Sequence, residues 1–490
     1  MPPSESLEAL LERIHAAERG PHIAAAFDYD GTLISGYSAG AFYQHRIRSG
    51  DMGPIELART ALIARRGIAD PSEFATFFTF ALEAWIGTEE ADLETLGDKL
   101  FKGTIASKLH HEAFALVEAH REMGHTLVLA SSAMRFQTEP MARELGIEHV
   151  LSTEIEIVDG RVTGGVVGAP LFGPEKARGL RDLATAEGLD LEKSFAYSNG
   201  REDIPFLETV GHATAIEPDA ELWAEAALRG WPVLRCAPPP SSLPGPKDVA
   251  RTAAFYGGLL GAMGIGTGVG LLSRKRSAMS DIGMGMGTDV ALKLAGVDVR
   301  VLRGSENLWS HRPAVFIFNH QSKMDPMVVT KLIREDFTAV GKAQAKNVPV
   351  FGQFFQLAGM TFIDRSDNAK AREALEPVVE AIRGGKSLMI APEGTRTPTP
   401  RLGPFKKGPF HIAMQAGVPI VPIVLKGIHT VQSRGGQLIH PGTVEVVVLP
   451  PFVSDGWTPK TVGKHVDEVR SAMLETLRDW PTATNGKGGH

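Results

Sequence analysis

Between Ala253 and Leu272 the chain reads "AAFYGGLLGAMGIGTGVGLL", 20 residues without a charge. That is about the length that crosses a hydrocarbon core as a helix. The stretch before it, "RCAPPPSSLPGPKD" at 235–248, is too crowded with proline for a helix interior or a central strand. After it, Arg274, Lys275 and Arg276 form the kind of cationic stop that suits a lipid headgroup layer. A break of this kind splits the 490 residues into two halves, and the length by itself implies two or three domains. Gly257 and Gly261, then Gly264 and Gly268, are small residues four apart, a spacing that lets helices approach closely. The window's seven glycines weaken an isolated helix. Two readings stand: a hydrophobic anchor or re-entrant hairpin, and a glycine-rich element packed on the second domain. Lys247 and Arg251 precede the stretch as the basic cluster follows it, so its orientation is not legible.

A formal net charge of −6 gives no support for nucleic-acid binding, which requires a concentrated basic surface. Cys236 is the only cysteine, which excludes a disulfide framework or a multi-cysteine metal cluster and suits a reducing compartment. The N-terminus has no apolar run of secretory type. It reads as an amphipathic helix within 1–19, with Leu7, Leu10, Leu11 and Ile14 on one face. The tail 481–490 has little to bury and is expected to be disordered.

In the N-terminal half, "HIAAAF" (22–27) suits a buried parallel strand and runs into "DYDGT". Open α/β sheets place their chemistry at such carboxyl ends. Asp28 and Asp30, on a chain turning at Gly31, can reach one phosphate and one cation. Asp28 is then positioned to attack phosphorus, and Asp30 to protonate the leaving oxygen and later activate water. Taken alone, the motif equally fits an Asx turn after a strand. Three further stretches add to it. "TLVLASS" ends a second strand at Ser131, "FGPEKARGL" supplies Lys176, and "FAYSNGRED" is a third strand followed by Asn199 and Asp203.

With these motifs in this order, residues 20–235 resemble the haloacid dehalogenase-like hydrolases, in their phosphoserine-phosphatase-like branch. The resemblance implies a Rossmann-like core, a helical cap at about 36–110, and a hairpin turning at Asp159-Gly160. It implies Asp28 as nucleophile, Asp30 as acid/base, Ser131 and Lys176 as phosphate ligands, and Mg²⁺ held by Asp28, Asp30, Asn199 and Asp203. The family usually carries Gly-Asp where this chain has Ser198-Asn199. Mg²⁺ prefers anionic oxygens, so a neutral amide weakens the site without removing the ligand. An active but weakened phosphatase and a non-catalytic phosphate sensor both fit.

The C-terminal half opens its chemistry with "AVFIFNHQSKMD", an apolar strand at 314–318 followed by His320 and, five residues on, Asp325. A carboxylate orienting an imidazole makes a general base, and a substrate hydroxyl can stand in for the missing serine nucleophile. A surface histidine with a helix-capping aspartate is the ordinary alternative. "FIDR" then brings Arg365, "LMIAPEGTR" brings Glu393, Gly394, Thr395 and Arg396, and "FKKGPF" brings Lys406. Guanidinium groups suit bidentate phosphate recognition, and glycine permits close backbone approach.

These blocks resemble the glycerolipid acyltransferases, with the 1-acylglycerol-3-phosphate acyltransferases as nearest type. The resemblance implies an αβ domain beside a bilayer and an acyl thioester donor, either acyl-coenzyme A or an acyl carrier protein. It implies a lysophosphatidate acceptor, His320 as base, and Asp325 as its orienter. Arg365, Glu393, Gly394, Thr395, Arg396 and Lys406 would bind or position the phosphate. The expected chain is α/β in both halves: a phosphatase domain (20–235), a Pro-rich linker (236–250), an apolar membrane-associated segment (251–276) and an acyltransferase domain (277–480). Its expected place is the cytoplasmic face of a membrane. The rival expectation is a membrane-tethered phosphomonoesterase whose second half only binds lipid.

Overall fold

The computed structural model describes residues 5–53, 71–237, 245–274, 281–342, 346–347, 356, 360–363, 376–432 and 436–481. It divides into two compact units, Met1–Pro239 and Pro240–His490. Residues 238–244 of the proline-rich linker, nearly all of the tail and Arg365 lie outside the described residues.

The first unit is a wound α/β domain. Its strands in chain order are β1 (Ala24–Asp28), β2 (Thr126–Met134), β3 (His149–Thr153), the hairpin β4 (Ile155–Val158) and β5 (Arg161–Val166), then β6 (Phe195–Ser198), β7 (His212–Ile216) and β8 (Val233–Leu234). Six of them form one parallel sheet in the order β3-β2-β1-β6-β7-β8. β1 is buried along its whole length, which explains an alanine-rich strand with no polar alternation. The chain builds outward from β1 to β2 and β3, then returns to lay β6 on its other side. The crevice between β1 and β6 is therefore a topological switch point, where such sheets place ligands.

Helices Ala39–Ser49, Pro71–Glu83 and Glu90–Leu100 fall within the expected cap. The β4–β5 turn uses Asp159 and Gly160, both at positive φ. The cap meets this hairpin through the main chain, Gly87 N–H to Val162 and Glu90 N–H to Gly160. The first helix, Leu7–Ala16, is capped by Ser6 and buries Leu10 and Ile14 against the core.

The second unit adds β9 (Val297–Arg303), β10 (Val315–Phe318), β11 (Phe337–Lys342), β12 (Thr361–Ile363), β13 (Ser387–Ile390), β14 (Ile420–Lys426) and β15 (Gly442–Val448). They form a seven-stranded sheet in the order β12-β11-β13-β10-β14-β15-β9, with β14 and β15 antiparallel. β10 lies centrally, between β13 and β14.

The uncharged stretch lies within a helix, Pro246–Ser273, 28 residues long and apolar enough to cross a membrane. One side, with Phe255, Leu259 and Met263, is buried in the unit's core. The other leaves Leu272 88%, Leu271 73% and Ile265 64% exposed. Residues 281–294 pack beside it, and Met286, Val290 and Leu294 extend the exposed apolar face. The expected glycine contacts are corrected here. A Cβ on Gly257, Gly261, Gly264 or Gly268 would touch nothing within 4 Å, whereas one on Gly258 would meet Leu294 and one on Gly287 would meet Ala262. Packing therefore uses a different glycine face from the one that spacing suggests.

Candidate active sites

In the first unit, Asp28 ends β1 and is almost fully buried. Lys176, on the helix Pro174–Glu187, donates from Nζ to Asp28 Oδ1 at 2.8 Å and to Asp203 Oδ2 at 2.6 Å. Asp203 Oδ2 also accepts Ser198 Oγ–H at 2.5 Å, and Asp28 Oδ2 accepts Thr32 Oγ1–H at 2.9 Å. Burial lowers the Lys176 pKa, but the two carboxylates outweigh it and hold the ammonium above its usual value. Burial likewise raises Asp28, against the pull of Lys176. Asp203 Oδ1 is enclosed without a partner.

Asn199 follows β6 at the switch-point crevice. With its nitrogen toward the cluster, the amide donates to the Asp30 carbonyl (3.0 Å), Thr32 Oγ1 (3.2 Å) and Asp28 Oδ2 (3.2 Å). Turned the other way, its oxygen faces the same Asp28 and Asp30 oxygens and accepts Thr32 Oγ1–H at 3.2 Å. Adjacent ligands of an octahedral Mg²⁺ lie about 2.9 Å apart, so this second arrangement matches the hard-donor shell such a cation takes. The residues fit a divalent cation, at one negative charge fewer than a carboxylate would give.

Asp30 faces this point through its main-chain carbonyl. Its carboxylate is turned away, accepting Ser38 N–H at 2.6 Å and Ser38 Oγ–H at 3.1 Å. Of the expected metal ligand Asp30, the carbonyl and not the carboxylate is therefore the atom at this point. Withdrawal from water raises this carboxyl to about 7, the range of a proton donor at neutral pH. Ser131 is buried on β2, one residue past the Asp28–Ala130 pairing, and its Oγ accepts Ala133 N–H at 3.1 Å. Sequence reasoning missed Ser38 and left Thr32 and Ser198 without roles.

In the second unit, His320 follows β10 and Asp325 opens the helix Asp325–Ile333. His320 Nδ1 lies 2.8 Å from Asp325 Oδ2, which also accepts the N–H groups of Gln321 (2.6 Å) and Ser322 (2.8 Å). Asp325 is fully buried and raised by burial, with His320 opposing the rise. With Nδ1–H given to the carboxylate, Nε2 is the nitrogen left to accept a proton.

The main chain of His320 is held on both sides. Its N–H donates to Glu393 Oε1 at 2.6 Å, and its carbonyl accepts Thr397 N–H at 2.8 Å. Glu393 Oε2 accepts Gly403 N–H at 2.8 Å. Both Glu393 oxygens are spent on main-chain amides, which fits the positioning half of the expectation that this residue binds or positions the acceptor. Burial raises it to about 7. Just before His320, Asn319 clasps β14, donating to the Leu425 carbonyl at 2.9 Å and accepting Leu425 N–H at 2.7 Å.

Gly394 (φ 74°), exposed Thr395 and part-buried Arg396 lie in the loop after β13, the strand beside β10. Lys406 is exposed, and its N–H closes this loop onto Pro392 at 2.8 Å. Lys323, overlooked in the sequence, lies within the electrostatic reach of Arg396; burial, then that guanidinium, lower its pKa.

A buried aspartate cluster around Lys176 and a hydrogen-bonded His–Asp pair thus occur in one chain. The haloacid dehalogenase-like hydrolase model matches residues 25–208, and the acyltransferase model matches residues 299–426. A Mycobacterium tuberculosis protein named "Probable phosphatase" is 32% identical over 239 residues, 47% of this chain and 83% of its own length. A Saccharomyces cerevisiae 1-acyl-sn-glycerol-3-phosphate acyltransferase is 35% identical over 189 residues, 38% of this chain and 62% of its own length. A solved Thermotoga maritima 1-acyl-sn-glycerophosphate acyltransferase is 23% identical with a TM-score of 0.42, covering 48% of this chain and 98% of that one. The chain belongs to the haloacid dehalogenase-like hydrolases through its first unit and carries an acyltransferase domain in its second.

Proposed function

We propose that the second unit transfers an acyl chain from a thioester, coenzyme A or carrier-protein bound, to the free hydroxyl of lysophosphatidate, giving phosphatidate for phospholipid synthesis. The observation that carries this reading is the 2.8 Å His320–Asp325 bond on a loop braced by Glu393 and Thr397. Nε2 of His320 takes the proton of the lipid hydroxyl as its oxygen attacks the thioester carbonyl. The C–S bond then breaks, and the proton passes to the departing thiolate. Asp325 stabilises the transient imidazolium. Arg396, Lys406 and Lys323 supply positive charge for the acceptor's phosphate, with Arg365 assigned to the same role from sequence. The exposed apolar face of Pro246–Ser273 and its neighbour seats the unit on the cytoplasmic side of a membrane, where its substrate resides.

For the first unit we infer phosphomonoester hydrolysis. Asp28 attacks phosphorus, and Asp30 protonates the leaving oxygen and then deprotonates water. Lys176 and Ser131 hold phosphoryl oxygens. Mg²⁺, when bound by Asp28, the Asp30 carbonyl, Asn199 and Asp203, supplies charge neutralisation at the phosphate. The test incubates detergent-solubilised full-length protein with Mg²⁺, lysophosphatidate and acyl-coenzyme A or acyl carrier protein, and identifies products by mass spectrometry. Phosphatidate that vanishes in His320→Ala is the expected result. Phosphatidate undiminished in that variant would withdraw the assigned base. Dephosphorylated lipid lost in Asp28→Asn would place a lipid phosphate among the first unit's substrates.

A further inference from the structure

Where the chain leaves the first unit, three side chains of different chemistry converge. His110 stands just before the helix His111–Glu122, Glu112 lies in that helix's first turn, and Cys236 follows β8. Their ligand atoms all lie within 4.8 Å of one another.

The three differ in how ready they are to take a metal. The His110 imidazole is buried and has no hydrogen-bond partner among the described residues, so a ring nitrogen is available as a donor atom. Glu112 Oε1 accepts Ala237 N–H at 2.9 Å, while its Oε2 is enclosed and the carboxylate's other neighbour is the Cys236 thiol. A carboxylate oxygen enclosed inside a fold calls for a cation or a donor. Burial and the carboxylates of Glu112 and Glu217 push the Cys236 thiol's pKa upward. A dication reverses that balance, because a coordinated thiol gives up its proton.

The surrounding backbone fixes the arrangement. Glu217 Oε1 accepts Cys236 N–H at 2.6 Å. Glu217 stands at φ 46°, a left-handed conformation that a non-glycine residue adopts only when its surroundings hold it there. His110 N–H is tied to Leu33 at 2.9 Å. Both sides of the cluster are thus anchored to the sheet's carboxyl end.

We propose that His110, Glu112 and Cys236 form a binding site for a borderline-soft divalent cation of the Zn²⁺ class, which clips the departing chain to the body of the first unit. The N, O, S donor set suits Zn²⁺ and not Mg²⁺, which distinguishes this site from the Asp28 cluster. Tetrahedral ligands on Zn²⁺ lie about 3.5 Å apart, so the side chains need only a small inward movement. Binding forms the metal–sulfur bond and releases the thiol proton to solvent, with water completing the shell.

Cobalt(II) tests this, because its bond to thiolate gives a near-ultraviolet charge-transfer band and the chain has a single cysteine. Full-length protein stripped of metal by a chelator is titrated with Co²⁺. The expected band saturates at one equivalent, is displaced by Zn²⁺ and is missing in Cys236→Ser. In His110→Ala and Glu112→Gln the Co²⁺ affinity falls by more than about tenfold, the loss that even an outer-shell partner can cause. Lack of a band in the unaltered protein at saturating Co²⁺ would overturn the proposal without recourse to any variant. So would a band whose midpoint is unmoved in both His110→Ala and Glu112→Gln, since that describes a lone thiol.

Discussion

Glu393 grips His320 by the main chain, its Oε1 accepting the histidine N–H at 2.6 Å across 73 residues of sequence. Burial raises this carboxyl from 4.5 to about 7. A carboxyl with a raised folded pKa contributes stability that is complete below its unfolded pKa and is lost as pH rises through the folded one. Between about pH 4.5 and 7 the unaltered second unit should therefore lose stability relative to Glu393→Gln. The loss is roughly 3 kcal/mol as an order of magnitude. Denaturation followed at this unit's transition checks it, and a pH-independent gap between the two proteins would contradict the assignment.

Removing His320 should abolish acyl transfer. Asp325→Asn should cost on the order of 10³–10⁴ in turnover, because the imidazole loses the partner that sets its tautomer. Asp325→Ala should also destabilise the unit, since the N–H groups of Gln321 and Ser322 lose their acceptor at about 1–3 kcal/mol each. Turnover with the variants' melting temperatures separates these effects. An Asp325→Asn protein with full activity would remove the dyad from the mechanism.

Asn199→Asp should tighten Mg²⁺ binding by about tenfold or more, because a carboxylate replaces a neutral amide among hard oxygen donors. Calorimetric titration of both proteins measures this. Equal affinities would mean that the cation does not use position 199.

Exchanging Ile265, Leu271 and Leu272 for serine should sharply weaken sedimentation with phospholipid vesicles. Each large aliphatic side chain is worth about 1.5–3 kcal/mol when removed from water. All three are exposed, so the fold should survive the change. Undiminished vesicle binding would assign the apolar face to another contact.

The strands that carry the chemistry were legible because burial on both faces leaves continuous apolar runs. "HIAAAF" became β1, "TLVLASS" lies in β2, and the apolar run 314–318 contains β10. The pairings His320–Asp325 and Asp28–Lys176 follow from motifs whose residue types already state their chemistry. Main-chain partnerships were not legible. Nothing local says that Glu393 serves an amide 73 residues away, that Asn319 clasps Leu425 across 106, or that the Asp30 carboxylate turns to Ser38. The glycine spacing misled for a related reason. A small residue permits close approach, but only the neighbouring helix decides which glycine receives it.

The bracing around His320 also fixes how many degrees of freedom its imidazole retains. Its N–H and carbonyl are both engaged, Asn319 before it is locked to β14, and Asp325 takes up the ring's Nδ1. Two side-chain torsions are all that remain, and one hydrogen bond restrains both. On the proposed acyl-transfer reading, a base with so little play does not adapt to acyl chains of different length or bend. Discrimination among them must then be written in the walls of the approach path, where a substitution can retune chain preference and leave proton transfer untouched.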